Sequence, residues 1–188
     1  ADAYRSALAQ MIYFGQLPLE RPPASPAEAP ARRRDEALKL IFNLFRSAPG
    51  DRYPPALNFA AYLYLAPEGP RQPAKARALL RKSAEAGDRL GMLNLARLYR
   101  EGLGGPRDNL KAAHWARRAA DAEPPPARAL NEVGYFYETG RGVTRDLAEA
   151  KAWYEKSAGR GYAPGRTNAA RLKGQGRDRP ALDEDILF

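Results

Sequence analysis

The sequence predicts an all-α protein, an α/α superhelical solenoid of helix-pair repeats with about eight main helices and a short C-terminal cap. Three features point there. A shift of 38 residues superimposes two stretches without a gap: Tyr99 falls on Tyr137, Gly102 on Gly140, Gly104 on Gly142, and Arg107-Asp108 on Arg145-Asp146. Ala112, Trp115 and Ala120 then fall on Ala150, Trp153 and Ala158. An earlier copy aligns with the last, Ala56-Leu57-Asn58 on Ala129-Leu130-Asn131 and Tyr62-Leu63-Tyr64 on Tyr135-Phe136-Tyr137. With one residue fewer in its loop, Lys82-Ser83-Ala84 meets Lys156-Ser157-Ala158. Within a copy, residues such as Ala129, Val133, Gly134 and Tyr137 recur at i, i+4, i+5 and i+8, one face of a helix.

Taken in order, residues 1–50 read as a degenerate helix pair. Its first helix falls in residues 2–15, which hold Met11-Ile12-Tyr13-Phe14-Gly15, and its second in 35–48, which ends in Ser47-Ala48. Residues 16–34 contain five Pro and the triplet Arg32-Arg33-Arg34, so an exposed loop inserted into this pair is expected. The clear repeats follow at about 51–88, 89–126 and 127–163. In the third, a first helix is expected over 127–139. Gly140 then stands where a helix C′ residue takes positive φ, and Gly142 lets the chain reverse closely. On that reading Gly140→Val costs more than about 1 kcal/mol and Gly142→Val less. Asp146, with Glu149 three residues on, starts the second helix as a capping box. That helix carries Ala150, Trp153, Tyr154 and Ala158 inward, small residues allowing close approach and aromatics filling the space beside them.

The other copies vary this plan. The first has Gln72 for the capping Asp but follows it with Pro73, a favoured first helical residue. The middle copy has Lys111 where the box Glu would stand. Pro124-Pro125-Pro126 replaces the short turn before the third copy and should stiffen it. A capping helix is expected near 165–173. Residues 174–188 form a tail ending Leu182-Asp183-Glu184-Asp185-Ile186-Leu187-Phe188, acidic with apolar residues, expected to be disordered or folded back on the basic array.

This pattern resembles the Sel-one-like repeat family, short relatives of tetratricopeptide repeats. The family hallmark is an Ala, then Leu-Gly-x-x-Tyr, then Gly-x-Gly-Val, then Asp and a Lys-Ala-x-x-Trp-Tyr-x-Lys-Ala-Ala run. Residues 129–158 nearly meet it, with Val133 for Leu and Ser157 for Ala. The resemblance covers residues 51–163 and weakens upstream.

Composition narrows the chemistry. With 188 residues, 44% hydrophobic and 28% charged, the chain has the balance of a soluble globular protein, one domain or a short repeat array. No run approaches the roughly 18 apolar residues of a membrane-spanning helix. The absence of Cys excludes disulfides, thiol catalysis and thiolate metal sites, and the single His114 excludes a multi-histidine centre. The chain opens at Ala1 without Met, as a processed mature form or an expression product does, with no signal peptide to choose between them.

The net charge of +9 invites a nucleic-acid reading, but its distribution argues against one. Residues 51–128 carry 14 basic and 8 acidic side chains, residues 129–173 carry 8 and 5, and the tail 2 and 4. Nucleic-acid modules concentrate basic charge on one face beside stacking aromatics, and here acids are interleaved throughout. No nucleic-acid partner, cofactor or metal is therefore expected.

Catalytic signals are equally sparse. His114 lies beside Trp115 with no positioned nucleophile in a local motif, and none of Ser6, Ser25, Ser47, Ser83 and Ser157 has a Lys three residues on. Gly-x-Gly at 102–104 and 140–142 follows no strand, so it is a turn device. Trp115, Trp153, Tyr99 and Tyr137 read as core.

What remains is surface. First helices line the concave side of a solenoid. The positions expected to face away from the repeat core are Asn58, Leu93 and Asn131; Tyr62, Arg97 and Tyr135; and Leu65, Arg100 and Glu138 across the three copies. Such variation on a constant scaffold suits recognition of a protein or peptide, an acidic one given the charge, with Tyr62, Arg97 and Tyr135 as anchors. The resemblance implies a non-enzymatic interaction scaffold; the competing class, a hydrolase, would need a cluster of strongly perturbed titratable groups in one cleft. Its contexts include bacterial signalling, envelope assembly and immunity proteins that neutralise secreted lipase effectors. An Ala- and Arg-rich composition (36 and 24 residues) points to a GC-rich bacterial source. A chain of this size suits a dedicated inhibitor, and a periplasmic immunity-type role is the expectation, with a cytoplasmic location as the alternative.

Overall fold

In the computed structural model, the described residues are Ser25, 27–47, 54–66 and 71–174. They form eight α-helices and no strand: α1 (Ala29–Ser47), α2 (Pro54–Leu65), α3 (Pro73–Glu85), α4 (Arg89–Glu101), α5 (Asn109–Ala120), α6 (Ala127–Thr139), α7 (Leu147–Gly159) and α8 (Ala163–Lys173). The expected first helix in 2–15 and the tail beyond Gly174 lie outside the described residues. The chain divides after Gly91 into two compact units.

In the first unit, α1 packs on α2 and α2 on α3. Ala37, Ala56, Phe59, Ala60 and Leu63 form a buried cluster, with Leu38, Leu40, Tyr62 and Leu79 at its edge. Residues 29–34, expected as the end of an exposed loop, are instead the start of α1. Pro30 is the second residue of that helix, where no intrahelical N–H is needed, so it does not oppose helix there. The amide of Arg32 makes the first turn's bond to the Glu28 carbonyl at 3.1 Å.

All three repeats close their turn with one backbone bond. The amide before the second helix reaches back to a Tyr carbonyl near the end of the first: Gln72 to Tyr64, Asp108 to Tyr99 and Asp146 to Tyr137, each at 2.9 Å. Side-chain caps then differ. Asp146 Oδ1 accepts from the amides of Ala148 and Glu149 at 2.9 and 3.0 Å, and Asp108 Oδ1 from that of Lys111 at 2.9 Å. Gln72 offers no side-chain cap, and Pro73 starts α3 without one. The capping box expected at Asp146 is only half made, because the Asp146 amide is already taken by Tyr137 and Glu149 stays exposed.

In the second unit, α5 packs on α6, α6 on α7, and α8 on both α6 and α7. Gly134 sets the α6–α7 spacing: a Cβ there would lie 2.7 Å from Cδ1 and Cε1 of the fully buried Tyr154. Gly140 caps α6 at φ +66°, its amide donating to the Phe136 carbonyl at 2.9 Å, as the sequence predicts. Gly142 departs from expectation. Besides a φ of +76°, its Cα faces the backbone of Asn109 and Leu110 at the start of α5, so it is the more constrained of the two turn glycines.

A further small-residue device joins consecutive repeats. Ser157, at the end of α7, is buried and donates to the Ala127 carbonyl at 2.6 Å, tying the second helix to the first residue of the first. Gly165, third in α8, leaves room for that hydroxyl. Ser83 does the same for Pro54 at 2.9 Å, with Gly91 beside it. In the middle repeat the corresponding positions are Ala119 and Ala129, both buried.

Candidate protein-binding face

The nine positions singled out in the sequence divide between the two units. In the first, Asn58 is buried, while Tyr62 and Leu65 are half-buried and Tyr62 stacks on Phe59 at 6.0 Å between ring centroids. In the second, Leu93 and Asn131 are buried too. Asn131 Oδ1 accepts from Asn168 Nδ2 of α8 at 3.0 Å, a bond between two interior side chains. Asn58, Leu93 and Asn131 are therefore core residues, not contact positions. Helical periodicity places them beside the apolar stripe, and at Asn131 helix α8 closes over that edge.

The other four converge in the second unit. From α4, Arg97 Nε donates to Glu101 Oε1 at 3.0 Å, and Arg100 Nη2 donates to the same oxygen at 3.3 Å. Arg100 also stands over the Tyr135 ring of α6 at 5.5 Å. Its Nε lies 3.8 Å from Glu132 Oε2, an ion pair too long to be a hydrogen bond. Arg141, in the turn after α6, donates to the Tyr135 hydroxyl at 2.7 Å and flanks the same ring at 5.9 Å. One helical turn on, Glu138 accepts from Arg171 Nη2 of α8 through both oxygens at 2.7 Å and from the Tyr154 hydroxyl at 2.8 Å.

Tyr135 is thus the centre of a polar network rather than an isolated anchor. It is only 7% exposed, and the side chains of Arg97 and Arg100 are 16% and 12% exposed, so these three are largely enclosed and Arg141 is the exposed cation of the network. Arg141 has no carboxylate partner among the described residues.

Electrostatics sharpen the picture. Burial pushes the Glu132 carboxyl above its usual range, while the charges of Arg100 and Arg128 pull it back down; Glu101 adds to the rise and Arg97 opposes it. Burial also drives the Tyr154 hydroxyl far above the usual tyrosine range, helped by its bond to Glu138, so it remains a neutral donor. The network holds Arg97, Arg100, Arg128, Arg141 and Arg171 against Glu101, Glu132 and Glu138, five cations to three anions. The surplus is two positive charges, and three when Glu132 is protonated.

Sequence reasoning missed Glu132, Arg128, Arg141 and Arg171. One signal was available for Glu132: it occupies the position held by Phe59 and Asn94 in the other copies, all buried, where a carboxylate calls for cationic neighbours. On the second helices, Trp153 lies beneath Arg117 at 4.8 Å and Lys156 at 4.2 Å, and Trp115 beneath Arg118 at 4.8 Å, as capped core aromatics. His114 is exposed and meets Trp115 edge-on at 5.4 Å. Among the described residues, no helix is long and apolar enough to cross a membrane.

Comparison with known proteins agrees with this architecture. The chain is 41% identical over 80 residues to the chitin synthase regulator SKT5 of Saccharomyces cerevisiae, covering 42% of this chain and 11% of that protein. It is 45% identical over 56 residues to the protein of the same name from Malassezia restricta, covering 30% and 4%. The chain thus spans about a tenth or less of the curated relatives it matches. Among solved structures, a Sel1 repeat protein from Oxalobacter formigenes superimposes with a TM-score of 0.74 at 23% identity, over 97% of this chain and 67% of that one. The protective antigen c5321 of uropathogenic Escherichia coli, with an SLR fold, gives 0.73 at 22% identity, over 98% and 36%. Both likenesses establish the fold. The Sel1 repeat model matches residues 54–88, 90–123 and 127–162, more than half of the sequence and within a few residues of the boundaries read from internal similarity. This chain belongs to the Sel1 repeat family.

Proposed function

We propose that the chain is a non-enzymatic protein-binding scaffold whose Tyr135 face takes an acidic segment of a partner. The observation that supports it most is the charge surplus of the network that holds that ring, five guanidiniums against three carboxylates, with Arg100 and Arg141 against the ring itself and Arg141 unpaired to any acid among the described residues. Arg and Tyr are the residue types that most often anchor interfaces, and a guanidinium can hold a carboxylate through two parallel bonds. An acidic partner also gains association rate at low salt from the chain's net charge of +9.

The test is a comparative capture from the native host. Wild-type chain and the variants Arg97→Ala, Tyr135→Ala and Arg141→Ala, each with unchanged helicity, serve as bait, with Tyr62→Ala reporting on the equivalent position of the first unit. A protein held by the wild type and lost from the three second-unit variants supports the face. Equal recovery by all of them removes it.

The recovered partner separates two narrower readings. A secreted lipase-type effector would make the chain its periplasmic immunity protein, a role resting on the family resemblance alone. An enzyme or assembly factor of the envelope, or a signalling component, would make it a regulatory adaptor. The 41% identity to a chitin synthase regulator favours this second reading, a scaffold acting on another enzyme.

A further inference from the structure

We infer that the Tyr135 face, read as above as a site for acidic segments, has a ligand within this chain: the stretch 182–187, bound in cis. Placement comes first. Helix α8 ends at Lys173, and Arg171 in its last turn is bonded to Glu138 on the face itself, so the chain leaves α8 beside the site. Tyr135 precedes Glu138 by three residues on α6, about 5 Å along the helix axis. Reach is ample. From Gly174 to Asp183 nine residues extend up to about 30 Å.

Chemistry supplies the match. The segment 174–188 has four acidic and two basic residues, a net negative stretch on a chain of net charge +9. Asp183, Glu184 and Asp185 stand together between Leu182 and Ile186-Leu187. Their carboxylates complement Arg141, which is exposed and has no acidic partner among the described residues, and the positive surplus of the network behind it. Covalent attachment favours the contact, because a ligand tethered within reach of its site is held at an effective concentration of about 1 mM. A segment with an intrinsic Kd of about 10–100 μM then weakens any competing acidic partner by about 10- to 100-fold.

The experiment uses the full chain and a labelled synthetic peptide of residues 181–188, read by fluorescence anisotropy. In one variant Asp183→Asn, Glu184→Gln and Asp185→Asn are combined, all beyond the last described helix. The peptide should bind this variant at least about tenfold more tightly than wild type, and adding Arg141→Ala should abolish the gain. Equal affinity for wild type and variant overturns the inference, because the face is then not occupied in cis. A hexaglutamate peptide distinguishes the two levels. Binding of hexaglutamate without binding of 181–188 sinks the inference and leaves the acidic-partner reading standing; binding of neither sinks both. Sedimentation provides the last arm: a wild-type dimer that becomes monomeric in the neutralised variant would place the segment on a second copy and overturn binding in cis.

Discussion

Adding one methyl group at Gly142 tests how the turn of the third repeat seats on the second. The backbone there has φ +76°, and a Cβ would run into the Asn109 carbonyl oxygen, 2.6 Å from its carbon and 3.0 Å from the Leu110 amide nitrogen. These are backbone atoms of the first turn of α5, so no rotamer change relieves the overlap. An L-residue in the left-handed region costs about 1 kcal/mol. Forcing apart a packed contact costs about 1–3 kcal/mol more. Gly142→Ala should therefore lose about 2–4 kcal/mol. At Gly140, with φ +66°, the nearest atom to an added Cβ is Arg145 Cβ at 3.1 Å, on an exposed residue that can give by a few tenths of an ångström. Gly140→Ala should lose only about 1–2 kcal/mol, the reverse of the order expected from sequence.

Urea unfolding followed by far-ultraviolet circular dichroism measures the difference. With a slope of about 1–3 kcal/mol per molar, a loss of 3 kcal/mol moves the midpoint by about 1–3 M. Asparagine separates the two causes, since it tolerates positive φ but carries a Cβ. Gly140→Asn should recover part of the loss seen with Ala, and Gly142→Asn should recover none. Equal midpoints for Gly140→Ala and Gly142→Ala, or rescue by Asn at 142, would show that the contact with α5 is not what makes Gly142 necessary.

Ser157→Ala should cost about 1 kcal/mol by removing the buried bond to Ala127. Gly165→Ala, whose Cβ would meet Ser157 Oγ at 2.5 Å, should cost about 1–3 kcal/mol alone and measurably less in the Ser157→Ala background; additive losses in a double-mutant cycle would contradict the pairing. Glu138→Ala removes the largely enclosed carboxylate to which Arg171 donates and should lose about 3 kcal/mol, whereas Glu138→Gln, which can still accept hydrogen bonds, should lose less; the urea midpoints rank the two. Glu132 predicts a pH dependence. Its carboxyl is held above the usual 4.5 in the folded chain, so its contribution is fully present below that value and is lost as pH rises through the folded pKa. The stability of Glu132→Gln relative to wild type should therefore increase as pH rises above 4.5, and a relative stability that falls as pH rises would refute the assignment.

The sequence by itself determined the repeat boundaries, the pairing of helices and the type of turn. These depend on local chemistry: a glycine at positive φ after α6, an aspartate before α7, and apolar residues returning every turn. Such features act within one copy and recur, so a 38-residue shift exposes them. The same local logic failed at α1, where Pro30 and three consecutive Arg resembled a loop although the first turn of a helix accepts Pro and Arg is a good helix former.

Only the tertiary structure decided which face residues are available. Asn131 and Leu93 lie on a helix edge that periodicity leaves ambiguous, and in the folded chain that edge is closed over by packing, with Asn168 of α8 reaching Asn131. Arg97, Arg100, Tyr135 and Glu138 were legible as variable positions, but their mutual partners are not. Arg100 reaches across to Tyr135 and Glu132, and Glu138 to Arg171, over separations of about 30 residues that no local pattern encodes. Gly142 shows the same division. Its residue type signals a tight turn, while the cost of replacing it comes from the backbone of another repeat, which only packing brings within contact.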